Sequence, residues 1–168
     1  MVVYFGLGSN LGDRRSEVAR ALQAMATLGR VAARSALYET DPEGGVDQPC
    51  YLNAAVRLET ELPARALMQA CLGIERAQGR VRPAGMAKAS RTIDIDLLLY
   101  GAAVIKEAGL SVPHPSLLLR PFVRIPLAEV ALPGLRHPIS GESLTECSPD
   151  PSVRRLDQLA SSPAGGSS

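Results

Sequence analysis

The order in which two hydrophobic periodicities follow one another is the feature that most constrains the fold of this chain. Apolar residues alternate along some segments, as in strands, and recur every three or four residues along others, as in helices. The predicted order is strand, helix, strand, strand, helix, strand. This is the order of a ferredoxin-like split βαβ unit, an α/β (α+β) sandwich with helices packed on a mostly antiparallel sheet. The predicted strands are 2–7, 31–38, 51–59 and 93–100, the predicted helices are 14–28, 63–78 and 122–130, and 153–156 is a last edge strand.

Length and composition indicate one globular domain. The chain has 168 residues, of which 46% are hydrophobic and 21% charged, so we expect a single domain over 1–160. Residues 161–168 contain only Ser, Pro, Ala and Gly, and we expect this tail to be disordered. No apolar run approaches the roughly 20 residues of a membrane helix, and the first residues do not resemble a signal peptide. The three cysteines are widely spaced, which argues against a disulfide framework or a zinc site and favours the cytoplasm.

Positive charge is concentrated in one segment. Residues 76–91 contain five basic residues and no acid, in a chain whose net charge is +1. A local cluster on a nearly neutral protein favours a small, highly charged anion over a long nucleic acid. The segment coincides with a predicted loop, 79–91, and a second long loop is predicted over 39–49. Loops of this length in a compact domain are usually functional.

Two carboxylates lie on the strand with the clearest alternation. Asp94 and Asp96 are two residues apart, which puts them on one face about 7 Å apart. They could be two solvated side chains on an exposed sheet. However, like charges on one face repel, and hard cations such as Mg²⁺ prefer carboxylate oxygens. The predicted faces of this strand are Ile93, Ile95, Leu97 and Leu99 on one side and Asp94, Asp96, Leu98 and Tyr100 on the other.

An amide occupies the middle of the strand 51–59. Asn53 would share the open face with the two aspartates if both strands bury their apolar faces under the same helices. A hydrogen bond to a neighbouring loop is the alternative explanation. Tyr51 and Phe122 lie beside the polar motifs and could belong to the core. They could instead hold a flat heterocycle whose polar edge contacts Asn53.

Arginines and a histidine surround the acidic pair in sequence. Taken singly, each arginine could be a solvated surface residue, but together with carboxylates and a metal they indicate phosphoryl-type transfer. The Gly-rich residues 6–12 match no phosphate loop and are predicted to be a strand-to-helix turn. With only two histidines, a nucleophilic triad is not indicated. The basic residues are Arg80, Arg82, Arg91, His114 and Arg120.

Five segments resemble the 6-hydroxymethyl-7,8-dihydropterin pyrophosphokinase family of folate synthesis. The likeness runs from about residue 2 to 135, and RTIDIDLLLYG is its most specific block. The resemblance implies a ferredoxin-like fold and transfer of the diphosphate of ATP to the hydroxymethyl group of the pterin, with release of AMP. The segments are GLGSNLGDR at 6–14, DQPCYLNAAVRLET at 47–60, IERAQGRVR at 74–82, RTIDIDLLLYG at 91–101 and VPHPSLLLRPFVRIPLAEVA at 112–131.

The resemblance also implies roles for individual residues. Asp94 and Asp96 would bridge two Mg²⁺ ions on ATP and, with Arg80, Arg82 and Arg91, form the catalytic set. The positions that face ATP are Glu75, in a supporting role, Arg80, Arg82, Arg91, His114 and Arg120. The positions that face the pterin are Thr40 and Pro42 in a loop, the sandwiching pair Tyr51 and Phe122, and Asn53 at the amide edge.

Two alternatives remain at this point. A ferredoxin-like RNA-binding module would explain the basic segment, although the sheet has few aromatic residues and two carboxylates that repel phosphate. A catalytically impaired member of the family is the other, since the family often has an aromatic residue where Lys88 stands. We expect a monomeric, cytoplasmic enzyme that binds neither nucleic acid nor membrane. We also expect loop 79–91 to close over bound nucleotide.

Overall fold

The computed structural model describes residues 1–10, 12–41, 50–79 and 93–156. The predicted tail, most of the two predicted long loops and four predicted site residues lie outside these ranges. Those four residues are Pro42, Arg80, Arg82 and Arg91.

Eleven elements follow the predicted order closely within the described ranges. A membrane span would need a longer and more uniformly apolar helix than any found there. The elements are β1 (Val2–Ser9), α1 (Arg14–Met25), β2 (Arg30–Arg34), β3 (Tyr38–Thr40), β4 (Tyr51–Glu59), α2 (Ala64–Ala77), β5 (Asp94–Tyr100), β6 (Ile105–Glu107), β7 (Leu110–Val112), α3 (Pro121–Val130) and β8 (Val153–Arg155).

The main sheet is antiparallel at every described pairing and has the strand order β5-β1-β4-β3-β8, with β2 also paired to β4. β4, which follows β3, and β5, which follows α2, therefore both lie beside β1. This is the ferredoxin-like arrangement, and the predicted fold class is confirmed. β6 and β7 form a separate hairpin.

Helices α1 and α2 cover one face of the sheet. The Asp13 carboxylate caps α1 by accepting a hydrogen bond from the Ser16 amide at 3.3 Å, which satisfies an amide that has no partner inside the helix. The apolar face of β4 packs beneath the helices as predicted. This core includes Val3, Phe5, Leu7, Val18, Leu22, Met25, Leu52, Val56, Leu58, Leu67 and Ile95.

Helix α3 packs on the opposite face, which we call the α3 face, over β4 and β1. Its carboxyl end is fixed there, because Arg57 donates a hydrogen bond to the Val130 carbonyl at 2.6 Å. The hydroxyl of Tyr4 accepts one from the Leu132 amide at 3.0 Å. Since α3 has only 10 residues, about 15 Å of helix, it covers part of this face.

The predicted strand 31–38 is two strands, and the prediction of one continuous strand is wrong. Ser35 lies between β2 and β3 and exchanges hydrogen bonds with Ala55 of β4 through its amide (2.9 Å) and its hydroxyl (2.8 Å). The Ala36 amide leaves the sheet and donates to the Glu129 carboxylate at 3.0 Å. Pairing resumes at Tyr38 and runs to Thr40, so the predicted loop 39–49 begins after Thr40.

The alternation of β5 also differs from the prediction. The register with β1 shifts between Tyr4 and Phe5, so that Leu98 is an extra residue on β5. A bulge of this kind exchanges the faces of the residues that follow it. Leu99 therefore joins the core under α3, and Tyr100 packs on the side of α1 and α2, which is the reverse of their predicted faces.

Candidate active site

One row of paired residues crosses the α3 face at the end that the helix leaves open. Gly8 in the central strand β1 pairs with Asn53 of β4 on one side and with Asp94 of β5 on the other. Directly paired residues point to the same face, and neighbouring strands lie about 4.8 Å apart. The backbones of Asp94 and Asn53 are thus about 10 Å apart, with no side chain between them. We call this space the trough.

Gly8 forms the floor of the trough because β1 is longer than predicted. The strand continues beyond the predicted residue 7 to Ser9, so the interpretation as a strand-to-helix turn is wrong for Gly8 and Ser9. A Cβ atom on Gly8 would lie 3.4 Å from Oδ1 of Asn53 and 3.9 Å from the ring of Tyr51. Any side chain at Gly8 would therefore occupy the space beside the Asn53 amide.

The acidic side of the trough is formed by Asp94 and Asp96, which are both half-buried. Asp96 pairs with Gly6, so the acidic pair faces two glycines of β1. The trough ends at Gly6, where Leu98 lies 3.6 Å from the position that a Cβ atom would take. The shared face that the sequence predicts for the two aspartates and Asn53 is confirmed by this register.

The amide side of the trough is held by a buried hydrogen bond. Asn53 is 6% exposed and donates from Nδ2 to Oγ1 of Thr40 at 3.0 Å. Thr40 was expected in a loop but belongs to β3, where it pairs with Tyr51. The amide therefore bonds to a neighbouring strand, and its Oδ1 lies beside Gly8. Tyr51, half-buried, lies on the same face.

His114 lies against the outer edge of β5. Its amide donates to the Leu98 carbonyl at 2.9 Å, and its Nδ1 accepts a hydrogen bond from the Ser116 amide at 3.1 Å. Burial lowers the pKa of His114, the charge of Arg120 lowers it further, and Asp94 opposes both effects. The imidazole is therefore neutral near pH 7, with its proton on Nε2 available as a donor.

The start of α3 carries two predicted site residues. Arg120 precedes the helix and places its guanidinium carbon 5.6 Å from the centre of the Phe122 ring, within the range of a cation–π contact. Phe122 is half-buried and Arg120 is exposed. Arg120 and Phe122 thus contact each other at the start of α3, the helix that packs on the face that holds the trough.

Glu75 supports the site from the other face of the sheet. Its side chain is in α2, the residue is 2% exposed, and its Oε2 accepts a hydrogen bond from the Ile95 amide at 2.7 Å. β5 is the edge strand, so this amide points away from β1, and a buried amide without a partner would destabilise the fold. Glu75 thus fixes the residue between the two aspartates. Its predicted contact with ATP stays a prediction.

Gly8 is the functional position that sequence reasoning did not identify. Its signal was the pair of glycines at alternate positions, Gly6 and Gly8, since glycine inside a strand often marks a close approach by a ligand or by another backbone. The trough exists because Gly8 has no side chain and because β1 extends past Gly8 to Ser9.

Fold and site together define a class: a ferredoxin-like α/β protein in which carboxylates and an amide face each other across two glycines of the central strand. A family model described as 7,8-dihydro-6-hydroxymethylpterin-pyrophosphokinase (HPPK) matches residues 4–132. The chain therefore belongs to the HPPK family.

Relatives of known name extend this match. The chain is 47% identical, over 85% of its length and 89% of the relative, to a 2-amino-4-hydroxy-6-hydroxymethyldihydropteridine pyrophosphokinase of Methylorubrum extorquens. It is 42% identical to the Pseudomonas aeruginosa protein of the same name, over 86% of this chain and 88% of the relative. A crystal structure of Plasmodium falciparum HPPK-DHPS superposes with a TM-score of 0.65 at 13% identity. It matches 86% of this chain, which spans 43% of that longer chain, and it supports the fold alone.

Proposed function

We propose that this protein transfers the diphosphate of ATP to the hydroxymethyl group of 6-hydroxymethyl-7,8-dihydropterin and releases AMP, as a step of folate synthesis. The observation that carries the proposal is the row Asp94, Gly8 and Asn53. In this row the Asp94 carboxylate, which suits metal-bound phosphates, and the Asn53 amide, which suits the amide edge of a heterocycle, lie on one face of the sheet. Two adjoining substrates can span the distance between them.

The acidic side fits Mg²⁺. Within the described ranges, no three side chains among His, Cys, Asp and Glu form a metal-binding group. Of the described residues, Asp94 and Asp96 would hold the metal, with phosphate oxygens and water as further ligands, as Mg²⁺ prefers. We assign two Mg²⁺ ions to this pair. When bound, they would supply positive charge against the phosphate oxygens.

The residues of the chain position the two substrates for in-line displacement. Asn53 orients the pterin so that its hydroxymethyl oxygen faces the β-phosphorus. A bond forms between that oxygen and the β-phosphorus, the hydroxyl proton is released to water, and the bond from the β-phosphorus to the oxygen bridging to the α-phosphorus breaks. That oxygen leaves as part of AMP. His114 Nε2 and Arg120 donate to nucleotide oxygens, and Tyr51 and Phe122 hold the heterocycle between their rings.

Family membership favours an enzyme over the RNA-binding module. A cytoplasmic location, a monomeric state and the absence of nucleic acid and membrane partners belong to the same proposal. A catalytically impaired member of the family is the competing hypothesis, because Lys88 stands where the family often has an aromatic residue. Product analysis separates these possibilities.

The experiment separates nucleotides by chromatography after incubation with ATP, Mg²⁺ and the pterin. We expect AMP in amounts equal to the pterin diphosphate and no AMP when the pterin is omitted. Asp94→Asn and Asp96→Asn should each reduce turnover by about a hundredfold or more, since each removes a carboxylate that would hold the Mg²⁺ ions whose positive charge stabilises the transition state. Glu107→Gln is the matched control, an exposed acid on β6 paired with Arg65 at 2.8 Å. Binding of nucleotide without AMP release would identify an impaired member.

A further inference from the structure

The strand β8 lies outside the part of the chain that matches the family model, which ends at residue 132. β8 pairs with β3 in the register Tyr38–Arg155, Glu39–Arg154 and Thr40–Val153. β3 has only three residues, and β8 turns it from an edge strand into an interior strand. The position of Thr40 therefore depends on both β4 and β8.

Arg154 of β8 binds both residues that bracket the segment 42–49. Its guanidinium lies 3.1 Å from Oδ1 of Asp41 and 3.9 Å from Sγ of Cys50. A third contact, 3.6 Å long, joins it to Oε1 of Glu39. One side chain thus links the end of β3 to the residue that precedes β4.

A second arginine completes the same network from α1. Arg14 donates to the Cys50 carbonyl at 2.7 Å and to Oε2 of Glu39 at 3.1 Å. Glu39 is therefore held between the two guanidinium groups, through one oxygen each. The two arginines thus join β3 to the residue that precedes β4, on either side of Thr40, whose Oγ1 accepts the hydrogen bond from Asn53.

We propose that Arg154 is a positioning residue for the pterin: it holds β3 so that Thr40 orients the amide of Asn53. This inference rests on the proposed function. Arg154 lies on the opposite face of the sheet from Asn53, since it pairs with Glu39 rather than with Thr40. It acts on the pterin through β3 and leaves the acidic side of the trough unchanged.

The test compares Arg154→Ala with the wild type and with a matched control. Arg30→Ala is the control, because Arg30 is also a strand arginine that pairs with a glutamate, Glu59 at 2.8 Å, at the opposite end of β4. We expect Arg154→Ala to raise the KM for the pterin about three- to tenfold, the range of a few partly exposed charge contacts. The KM for ATP and kcat should change less than about twofold. Arg154→Lys should recover part of the loss.

Three results of this comparison would overturn the inference. The first is a pterin KM for Arg154→Ala equal to that of Arg30→Ala. The second is a parallel change in kcat and both KM values together with a lower Tm, which indicates general loosening of the fold. If Arg154→Ala does not fold, Asp41→Asn is measured in its place. The third result is then a pterin KM of Asp41→Asn equal to that of the wild type.

An activity-independent measurement separates this inference from the proposed function. If the wild type releases no AMP, the proposed function fails. The side-chain amide signal of Asn53 in nitrogen-15 NMR then still tests the positioning role. We expect it to shift in Arg154→Ala and to stay in place in Arg30→Ala. An unshifted signal in folded Arg154→Ala contradicts the role whatever the turnover.

Discussion

Substituting the floor of the trough tests the site without removing any charge or hydrogen bond. In Gly8→Ala the added methyl group would lie 3.4 Å from Oδ1 of Asn53, directly in the trough. Gly8 is not among the glycines with positive φ, so alanine adopts the same backbone. We therefore expect the free energy of unfolding to stay equal or to rise by about 0.4–1 kcal/mol, because alanine restricts the unfolded chain.

The cost should appear in substrate binding instead. Overpacking a fitted surface costs about 1–3 kcal/mol, which corresponds to about a 5- to 150-fold loss. We expect this loss in kcat/KM for the pterin, measured by AMP release, with a normal urea unfolding curve. Gly6→Ala is the control, since its methyl group would rest at ordinary contact distance, 3.6 Å, on Leu98. Wild-type kcat/KM in Gly8→Ala, or an equal loss in Gly6→Ala, would refute the trough as the substrate site.

Three further expectations concern buried groups. Glu75→Ala should lower the free energy of unfolding by about 1–3 kcal/mol, because the buried Ile95 amide loses its acceptor. Glu75→Gln keeps an acceptor oxygen and should lose less, as urea titration of both variants can show. Burial is the main cause that lowers the pKa of His114 and of His137 below the ordinary 6.5. Near and below pH 6.5 the unfolded chain therefore binds more protons than the folded chain, so the Tm should fall as the pH is lowered below about 6.5. The fall should be smaller in His114→Gln. Burial, with a smaller effect of nearby carboxylates, raises the pKa of Cys71 to about 12. A thiol reagent at pH 8 should therefore leave Cys71 unmodified in the native protein, as mass spectrometry of digested peptides can test.

The hydrophobic pattern of the sequence was sufficient to predict the boundaries and buried faces of elements in which one face is apolar along the whole strand or helix. The strand 51–59 and the buried stripe of α1 follow the predicted boundaries or faces because apolar residues recur at the expected spacing. The shared face of Asp94, Asp96 and Asn53 could be predicted for the same reason. The shared face required only the alternation of polar and apolar residues along each strand and the assumption that both strands bury their apolar faces under the same helices.

Features that depend on distant partners were not predictable from pattern. The bulge at Leu98 arises from the register between β1 and β5, and nothing in the run Leu97 to Leu99 distinguishes one leucine from the next. The division between β2 and β3 depends on Ser35 bonding to Ala55 and on Ala36 bonding to Glu129, 93 residues away.

The most direct test of the account is the distance between the two halves of the trough in the working complex. Mn²⁺ can replace Mg²⁺ with a non-hydrolysable ATP analogue, and the hydroxymethyl carbon of the pterin can be labelled with carbon-13. Because the backbones of Asp94 and Asn53 are two strand spacings apart, we expect paramagnetic relaxation of that carbon to give a distance of about 10 Å or less. Asp94→Asn should weaken the effect. If the pterin binds but its labelled carbon shows no paramagnetic relaxation, the carbon lies more than about 15 Å from Mn²⁺. That result would contradict the placement of both substrates on one face across Gly8.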